Sequence, residues 1–286
     1  MKHVRVVQFA LLPAAFLVGS AFAETVLYNN DIPDGKVATL SRPGSPGLSE
    51  RETADDFLLT SDSLVTGGSF TGLLPAGAKI TNVNVEIYGV QTTEIAAPPR
   101  TVPTRVNSPT NDAIVEEDTA EGLSFHTHTL NNLVAVANSV VNNINPGANS
   151  AATITGGEGG KSGEEVQFQF TLDKAFNLAA GHYFFVPQVQ LDNGNFLWLS
   201  ASRPIGAFGS TPFNGDLQSW IRNDPGIAPD WERVGTDIIG PVAGAATYNG
   251  AFRLVGTVVP EPTTIAMLIG GLFMVGAWSQ RNRNRA

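Results

Sequence analysis

The sequence predicts an all-β protein, an antiparallel β-sandwich of the jelly-roll-like kind, between residues 24 and 259. Short segments in this region alternate polar and apolar residues, which is the period of a strand with one buried face. Glycine, proline and asparagine recur between these segments, as turns between strands require. Patterns typical of amphipathic helices are nearly absent from the same region. These observations favour about ten short strands in a single domain.

Individual strands are predicted where an alternating segment lies between turn residues. In segment 82–87, the apolar residues Val83, Val85 and Ile87 share one face. Segment 166–172 is apolar at every second residue, and Phe252 and Leu254 repeat the pattern near the end of the domain. The same signals predict further strands at 25–28, 56–59, 68–74, 123–130 and 133–141.

A β-hairpin is predicted in the segment HYFFVPQVQLDNGNFLWLS, residues 182–200. Asn193 and Gly194 separate two apolar runs, and this pair suits the positive φ angles of a type I′ turn. Pro187 lacks an N–H group, so its strand is expected at a sheet edge or at a bulge.

The N-terminal segment has the layout of a secretory signal peptide. Lys2 and Arg5 precede an apolar run, and the small residues Ala21 and Ala23 follow it. We expect residues 1–23 to be removed after Ala23, which leaves residues 24–259 as the exported domain.

The C-terminal segment, residues 260–286, combines three features in a defined order. The first is the triplet Pro260, Glu261 and Pro262, and the second is an apolar run at 264–279. The third is a basic end that contains Arg281, Arg283 and Arg285. A helix of about 17 residues spans roughly 25 Å, slightly less than the ~30 Å hydrocarbon core. The sequence therefore predicts a single transmembrane helix whose arginines stay cytoplasmic, with the triplet exposed just outside the bilayer.

This order of triplet, short apolar helix and basic end resembles the PEP-CTERM sorting signal of Gram-negative bacteria. The resemblance implies recognition by an exosortase, a membrane-embedded cysteine transpeptidase that cuts near the triplet. It implies a transient inner-membrane anchor and then transfer to the cell surface or to an exopolysaccharide matrix. The segments RETADDFLLT, PTRVNSP and DWERVGTDI also resemble parts of uncharacterised PEP-CTERM ectodomains. The expected role is a non-catalytic component of the cell envelope or biofilm matrix, with exopolysaccharide as a partner.

The composition excludes several classes of function. A formal net charge of −9 argues against nucleic acid as a partner, because phosphates require a basic face. The chain has no cysteine, which excludes disulfides, thiol nucleophiles and thiolate metal sites. No Gly-x-Ser-x-Gly motif occurs either. These features favour a protein that is not an enzyme.

One alternative is a metal-dependent enzyme centred on His126 and His128. Residues two apart in a strand share a face, so both imidazoles can reach one ion, although zinc or copper would need a third ligand. The simpler interpretation places both histidines on a solvent-exposed face.

A structural calcium ion is a second metal hypothesis, and no other cofactor is predicted. Carboxylates cluster at Glu50, Glu52, Asp55 and Asp56. Calcium takes about six to eight oxygen ligands, and backbone carbonyls can complete such a shell.

The other alternative is a carbohydrate-binding module that uses Trp220 and Trp231. Both residues lie in a segment rich in polar side chains and proline, which indicates exposed rings. A flat aromatic ring stacks on the apolar face of a sugar while neighbouring side chains supply hydrogen bonds.

Overall fold

The computed structural model of the protein describes residues 24–93, 106–142, 144, 154–202, 218–222, 231–240, 247–260, 270–275, 278 and 280–281. The predicted signal peptide, with Ala21 and Ala23, lies outside these residues. The described chain is mostly β-strand, so the all-β prediction is confirmed. The strands are β1 Thr25–Asn30, β2 Pro33–Leu40, β3 Glu52–Leu59, β4 Ser63–Leu74, β5 Ile80–Val90, β6 Pro109–Asp118, β7 Leu123–Val136, β8 Asn138–Val140, β9 Lys161–Leu178, β10 Gly181–Leu191, β11 Leu197–Ala201, β12 Trp220–Arg222, β13 Glu232–Arg233, β14 Asn249–Gly250 and β15 Phe252–Val258.

These strands form two sheets. Over the described residues, a nine-stranded sheet has the order β1-β15-β4-β11-β2-β8, with β14 beside β11 and the β9–β7 pair attached to β4. A six-stranded sheet has the order β13-β12-β3-β10-β5-β6. Pairing is antiparallel, with the short parallel pair of β2 and β8 as an exception. A π-helical turn, Val234–Ile239, follows β13.

The main core lies between the two sheets and is rich in phenylalanine. Phe70 and Phe168 of the nine-stranded sheet stack with ring centroids 4.8 Å apart. Phe185 of the six-stranded sheet stacks on Phe252 of the opposite sheet at 4.9 Å. Each fully buried phenylalanine contributes roughly 1.5–3 kcal/mol to folding, so a disulfide-free domain of this size can be held by such contacts.

A glycine makes room for one of these rings. Gly72 lies in β4 opposite Trp198, and a Cβ atom at this position would overlap the Phe196 ring and lie 2.7 Å from the Leu197 carbonyl oxygen. The absence of a side chain at Gly72 therefore lets Phe196 enter the core.

The hairpin predicted around Asn193 and Gly194 is wrong. Strand β10 pairs with β3 and β5, whereas β11 pairs with β2, β4 and β14 of the other sheet. Gly194 does have a positive φ of 78°. The turn therefore carries the chain from one sheet to the other.

Pro187 is also not at a sheet edge, because β10 lies between β3 and β5. The ladder between β10 and β3 ends at Phe185, two residues before the proline. The missing N–H group therefore leaves no gap in that ladder, and the Pro187 carbonyl accepts a hydrogen bond from the Ser41 hydroxyl at 2.6 Å.

Two other predictions need correction. The strand predicted at 123–130 continues to Val136 as β7, and only Asn138–Val140 of the segment predicted at 133–141 is a separate strand. Strand β6 is not among the strands predicted from the sequence. It alternates exposed and half-buried residues at the edge of the six-stranded sheet, where the hydrophobic signal is weak.

The C-terminal segment is described in part. Residues 270–275, 278, 280 and 281 are helical. Among the described residues, we find no helix with the length and apolar character needed to cross a membrane. Glu261, Pro262, Arg283 and Arg285 lie outside the described residues.

Candidate functional site

The outer face of the six-stranded sheet is partly covered, and it holds a group of buried polar side chains. Alternation along the strands directs Glu52 of β3, Glu86 of β5 and Gln188 of β10 to this face, away from the phenylalanine core. Arg222 of β12 lies opposite Glu52 in the strand register. All four side chains are buried although none belongs to the core between the sheets.

Aromatic side chains cover one half of this face. Trp220, Trp231, Tyr88 and Phe184 form a buried cluster with Ala54 and Val186. The Trp231 indole N–H donates to the backbone carbonyl of Thr110 at 3.1 Å, which anchors the ring over the sheet. The Tyr88 ring meets the Trp231 ring edge to face at 5.6 Å.

The other half is an open cavity of about 360 Å³ that we name the acidic pocket. One carboxylate oxygen from each of Glu50, Glu52 and Glu86 lies within 4.8 Å of the others. The full lining comprises Glu50, Glu52, Glu86, Tyr88, Asn111, Asp112, Ala113, Glu116 and Arg222. The pocket thus collects five acidic side chains and one basic side chain.

Arg222 is held by contacts on several sides. Its Nε donates to Glu52, its Nη1 donates to the Asn111 carbonyl at 2.9 Å and its Nη2 donates to the Tyr88 hydroxyl at 3.1 Å. The guanidinium carbon also lies 4.6 Å from the centre of the Trp231 ring. A planar guanidinium satisfies this mixture of carboxylate, carbonyl and ring contacts, which a lysine would not.

Two side chains link the carboxylates to one another. The Tyr88 hydroxyl lies 2.6 Å from Glu52 Oε1 and 2.7 Å from Glu86 Oε2. The Asn84 amide nitrogen lies 2.8 Å from Glu86 Oε1, 3.1 Å from Glu116 Oε1 and 3.0 Å from Gln188 Oε1. Tyr88 has one hydroxyl hydrogen and Asn84 has two amide hydrogens, so the five contacts share three hydrogens.

Burial changes the acidity of these groups. Burial, reinforced by the neighbouring charge of Glu52, raises the pKa of Glu86 from 4.5 to about 9. The pKa of Glu50 is raised as well, mainly by burial. Burial also raises the pKa of the Tyr88 hydroxyl, so Tyr88 stays a hydrogen-bond donor at neutral pH. The Glu86 carboxyl group therefore keeps its proton at neutral pH.

The acidic residues predicted from the sequence do not form one group. Glu52 belongs to the acidic pocket, whereas Asp55 points between the sheets, where Ser219 and Asn249 donate to its Oδ1 at 3.3 and 3.2 Å. Asp56 faces outward but lies against His182, whose Nε2 is 2.9 Å from its Oδ2. The grouping of Asp55 and Asp56 with Glu52 is wrong for two reasons. Asp55 points to the opposite face of the strand, and Asp56 shares the face of Glu52 but lies four residues further along, roughly 13 Å away.

The two histidines lie on the other sheet. His126 and His128 are exposed on β7, opposite Gln169 and Gln167 in β9. The His126 Nε2 N–H donates to Gln169 Oε1 at 2.7 Å. Among the described residues, the group of three metal-ligating side chains within mutual reach is Glu50, Glu52 and Glu86, and neither histidine belongs to it.

The expectation of exposed tryptophans is wrong. Trp220 is 0% exposed and Trp231 is 1% exposed, so neither ring can stack on a sugar at the surface. The polar residues near them in the sequence suggested exposure. One of those residues, Arg222, is itself buried against Trp231.

Sequence reasoning missed most of the acidic pocket. Asn84 and Glu86 were recognised as the polar face of segment 82–87, but alternation does not reveal whether that face is covered. Tyr88 and Gln188 gave no separate signal, since each is a polar group in a largely apolar segment, and Arg222 was one of several polar residues between Trp220 and Trp231.

A second cavity, which we name the polar groove, lies on the outer face of the nine-stranded sheet. Its volume is about 320 Å³, and the glycines Gly67 and Gly68 form part of its lining. Its lining also includes hydrogen-bonding side chains of several strands, namely Glu24, Asp31, Thr66, Ser69, His126, Gln167, Gln169, Thr171 and Arg253. His126 is thus part of a polar surface that joins β7, β9, β4 and β15.

The fold and the two cavities define a two-sheet, all-β protein with a buried polar cluster on one outer face. Comparison of the chain with protein-family models, with characterised proteins and with solved structures finds no match.

Proposed function

We propose that this protein is an exported, surface-sorted β-sandwich protein and a non-catalytic component of the cell envelope or exopolysaccharide matrix of a Gram-negative bacterium. In this proposal the domain is jelly-roll-like, and residues 264–279 form a single transmembrane helix. An exosortase removes this helix near Pro260–Glu261–Pro262. The order of triplet, apolar run and arginines supports the proposal.

The main support for the proposal is the position along the chain at which the sandwich ends. Strand β15 pairs with β1 and β4 and stops at Val258. The Val259 N–H donates to the Asp62 carbonyl at 2.8 Å, and Pro260 follows at once. Among the described residues, the buried core has no member beyond Leu254. A cut near the triplet therefore removes a handle from a complete domain.

The apolar side chains of the tail are consistent with a separate role. Leu272, Phe273, Met274, Val275 and Trp278 are 64–75% exposed, so they do not contribute to the sandwich core. A run of consecutive exposed apolar side chains is unfavourable in water, and a membrane or a partner protein would bury it.

The experiment is an intact-mass measurement on protein released from the envelope of a producing cell with an exosortase. We expect an N-terminus at Glu24 and a C-terminus near the triplet. Glu261→Ala should block C-terminal processing, whereas Glu121→Gln, which changes an exposed acid of the β6–β7 turn, should be processed normally. Recovery of the chain with Arg285 attached, or normal processing of Glu261→Ala, would contradict the proposal.

A second candidate function is polysaccharide binding in the polar groove. The supporting observation is its open sheet surface, where amide, hydroxyl, imidazole and guanidinium groups can each bond to sugar hydroxyls. We expect the paired change Gln167→Ala and Gln169→Ala to reduce retention on the producing organism's exopolysaccharide. A Gln190→Ala control on the other sheet should retain binding. Equal retention of all three proteins would exclude the groove as the binding surface.

A further inference from the structure

Polar residues of the nine-stranded sheet form a row that crosses five neighbouring strands. Each member lies directly opposite the next in the strand register, in the order His126, Gln169, Ser69, Arg253 and Asn29. Their chain neighbours Phe168, Phe70 and Phe252 belong to the core, so the row faces outward. Neighbouring strands lie about 4.8 Å apart, so the four spacings give the row a length of roughly 19 Å. An extended ligand can therefore contact side chains from all five strands.

The first four members of this row line the polar groove. The His126 Nε2 lies 2.7 Å from Gln169 Oε1, and the Gln169 amide nitrogen donates to Gln167 Oε1 at 3.1 Å. These contacts hold an imidazole and two amides in fixed positions on the sheet surface. Groups that are ordered before a ligand arrives lose less conformational entropy when it binds.

Arg253 is the member of the row that is always charged. Its side chain is half-buried, and its Nε is enclosed without a hydrogen-bond partner among the described residues. Glu24 and Asp31 also line the groove, yet within the described chain neither forms an ion pair with Arg253. The Thr66 hydroxyl donates instead to Glu24 Oε1 at 2.8 Å. An enclosed N–H group without an acceptor is unfavourable, and an acceptor carried by a ligand would remove that penalty.

The surroundings of Arg253 select the kind of anion. A guanidinium group binds a carboxylate or a phosphate through two parallel hydrogen bonds. The other side chains of the row are imidazole, amide and hydroxyl groups, which bond to the hydroxyl groups of sugars. Glu24 and Asp31 would repel a densely charged polyanion. The groove therefore fits a sugar chain in which a carboxylate occurs among many hydroxyl groups, as it does in a polymer that contains uronic acid.

We propose that the polar groove binds an acidic polysaccharide, with the carboxylate of one uronic acid unit on Arg253 and the adjoining sugars along the row toward His126. The polymer crosses β15, β4, β9 and β7 rather than following one strand. This inference rests on the second candidate function, polysaccharide binding in the polar groove, and it names the class of ligand.

The test compares two forms of the producing organism's exopolysaccharide. One is the native polymer, and the other is the same polymer after chemical reduction of its carboxyl groups to alcohols. The full chain, purified in a mild detergent, should bind the native polymer roughly 10–100-fold more tightly, as expected for hydrogen bonds to a charged group. Equal binding of the two forms would overturn the carboxylate subsite but leave polysaccharide binding in place. Binding of neither form would reject both.

Variants locate the carboxylate. Arg253→Gln removes the charge and should weaken binding of the native polymer roughly 10–100-fold, with binding of the reduced polymer unchanged. The control Lys79→Gln removes the same charge from an exposed position just before β5 and should bind like the parent protein. His126 lies three strand spacings, about 14 Å, from Arg253, and His126→Ala should weaken binding of both forms roughly 2–10-fold.

The comparison of the two polymers needs no variant, so it decides the proposal even where Arg253→Gln does not fold. An equal loss of binding in Lys79→Gln, or an unchanged preference of a folded Arg253→Gln for the native polymer, would overturn the assignment of the carboxylate to Arg253. Full binding of both forms by His126→Ala would overturn the position of the polymer along the row.

Discussion

Replacing Arg222 with methionine removes the guanidinium that Glu52 contacts in the acidic pocket. Both side chains are 2% exposed, so Glu52 would be left with a buried charge and one fewer donor. Breaking a buried ion pair by removing one partner destabilises a protein by about 3–5 kcal/mol. For a domain of about 150–250 residues, this corresponds to a fall in Tm of roughly 6–20 °C.

The assay is denaturant unfolding. The double variant Glu52→Gln, Arg222→Met lacks the Glu52 charge that the single change leaves without its partner. It should be more stable than the sum of the single effects predicts, by about 0.5–3 kcal/mol. Lys36→Met is the matched control, because the Lys36 side chain is 61% exposed in its ion pair with Asp34 and should contribute less than about 1 kcal/mol. Additive single effects, or equal losses for Arg222→Met and Lys36→Met, would refute the reasoning.

Three further predictions concern the core. Gly72→Ala should destabilise the protein by about 1–3 kcal/mol in urea unfolding, because the added methyl group overlaps the Phe196 ring, whereas Gly44→Ala makes only ordinary contacts and should be near neutral. Phe168→Ala should cost about 3–5 kcal/mol in the same assay, since the ring is 0% exposed; a loss below about 1 kcal/mol would contradict its core position. The Asp55 carboxyl has a pKa raised by burial, so its contribution to stability is fully present below about pH 4 and is lost as the pH rises through the folded-state pKa. Asp55→Asn should therefore become progressively more favourable relative to the parent protein as the pH rises above about 4, and a pH-independent difference would exclude this origin.

The strands themselves were largely predictable, because alternation is a local property of the chain. Segments 82–87, 166–172 and 252–258 all lie in strands, with their apolar residues in the core. Pairing was not predictable in the same way. Asn193 and Gly194 have the local chemistry of a hairpin, yet the flanking strands join different sheets, because pairing depends on partners distant in the sequence.

The acidic pocket shows the same division. Glu50 and Glu52 were visible as neighbouring acids, but Glu86, Asn84 and Tyr88 come from β5 and Arg222 from β12. The contact between Arg222 and Glu52 joins residues 170 positions apart, which no local pattern encodes. The prediction that Trp220 and Trp231 are exposed failed for the same reason. Polar neighbours in the sequence do not show whether a face of the sheet is covered.

By itself, the sequence determined the all-β class and the face that each strand residue occupies, and it determined the order of features at the tail, because these depend on neighbouring residues. Only the tertiary structure decided which strands pair and that the outer face of the six-stranded sheet is buried beneath Trp231. It also decided that five acids surround one arginine in the acidic pocket. Burial and charge proximity arise when distant segments pack, so the site exists only in the folded chain.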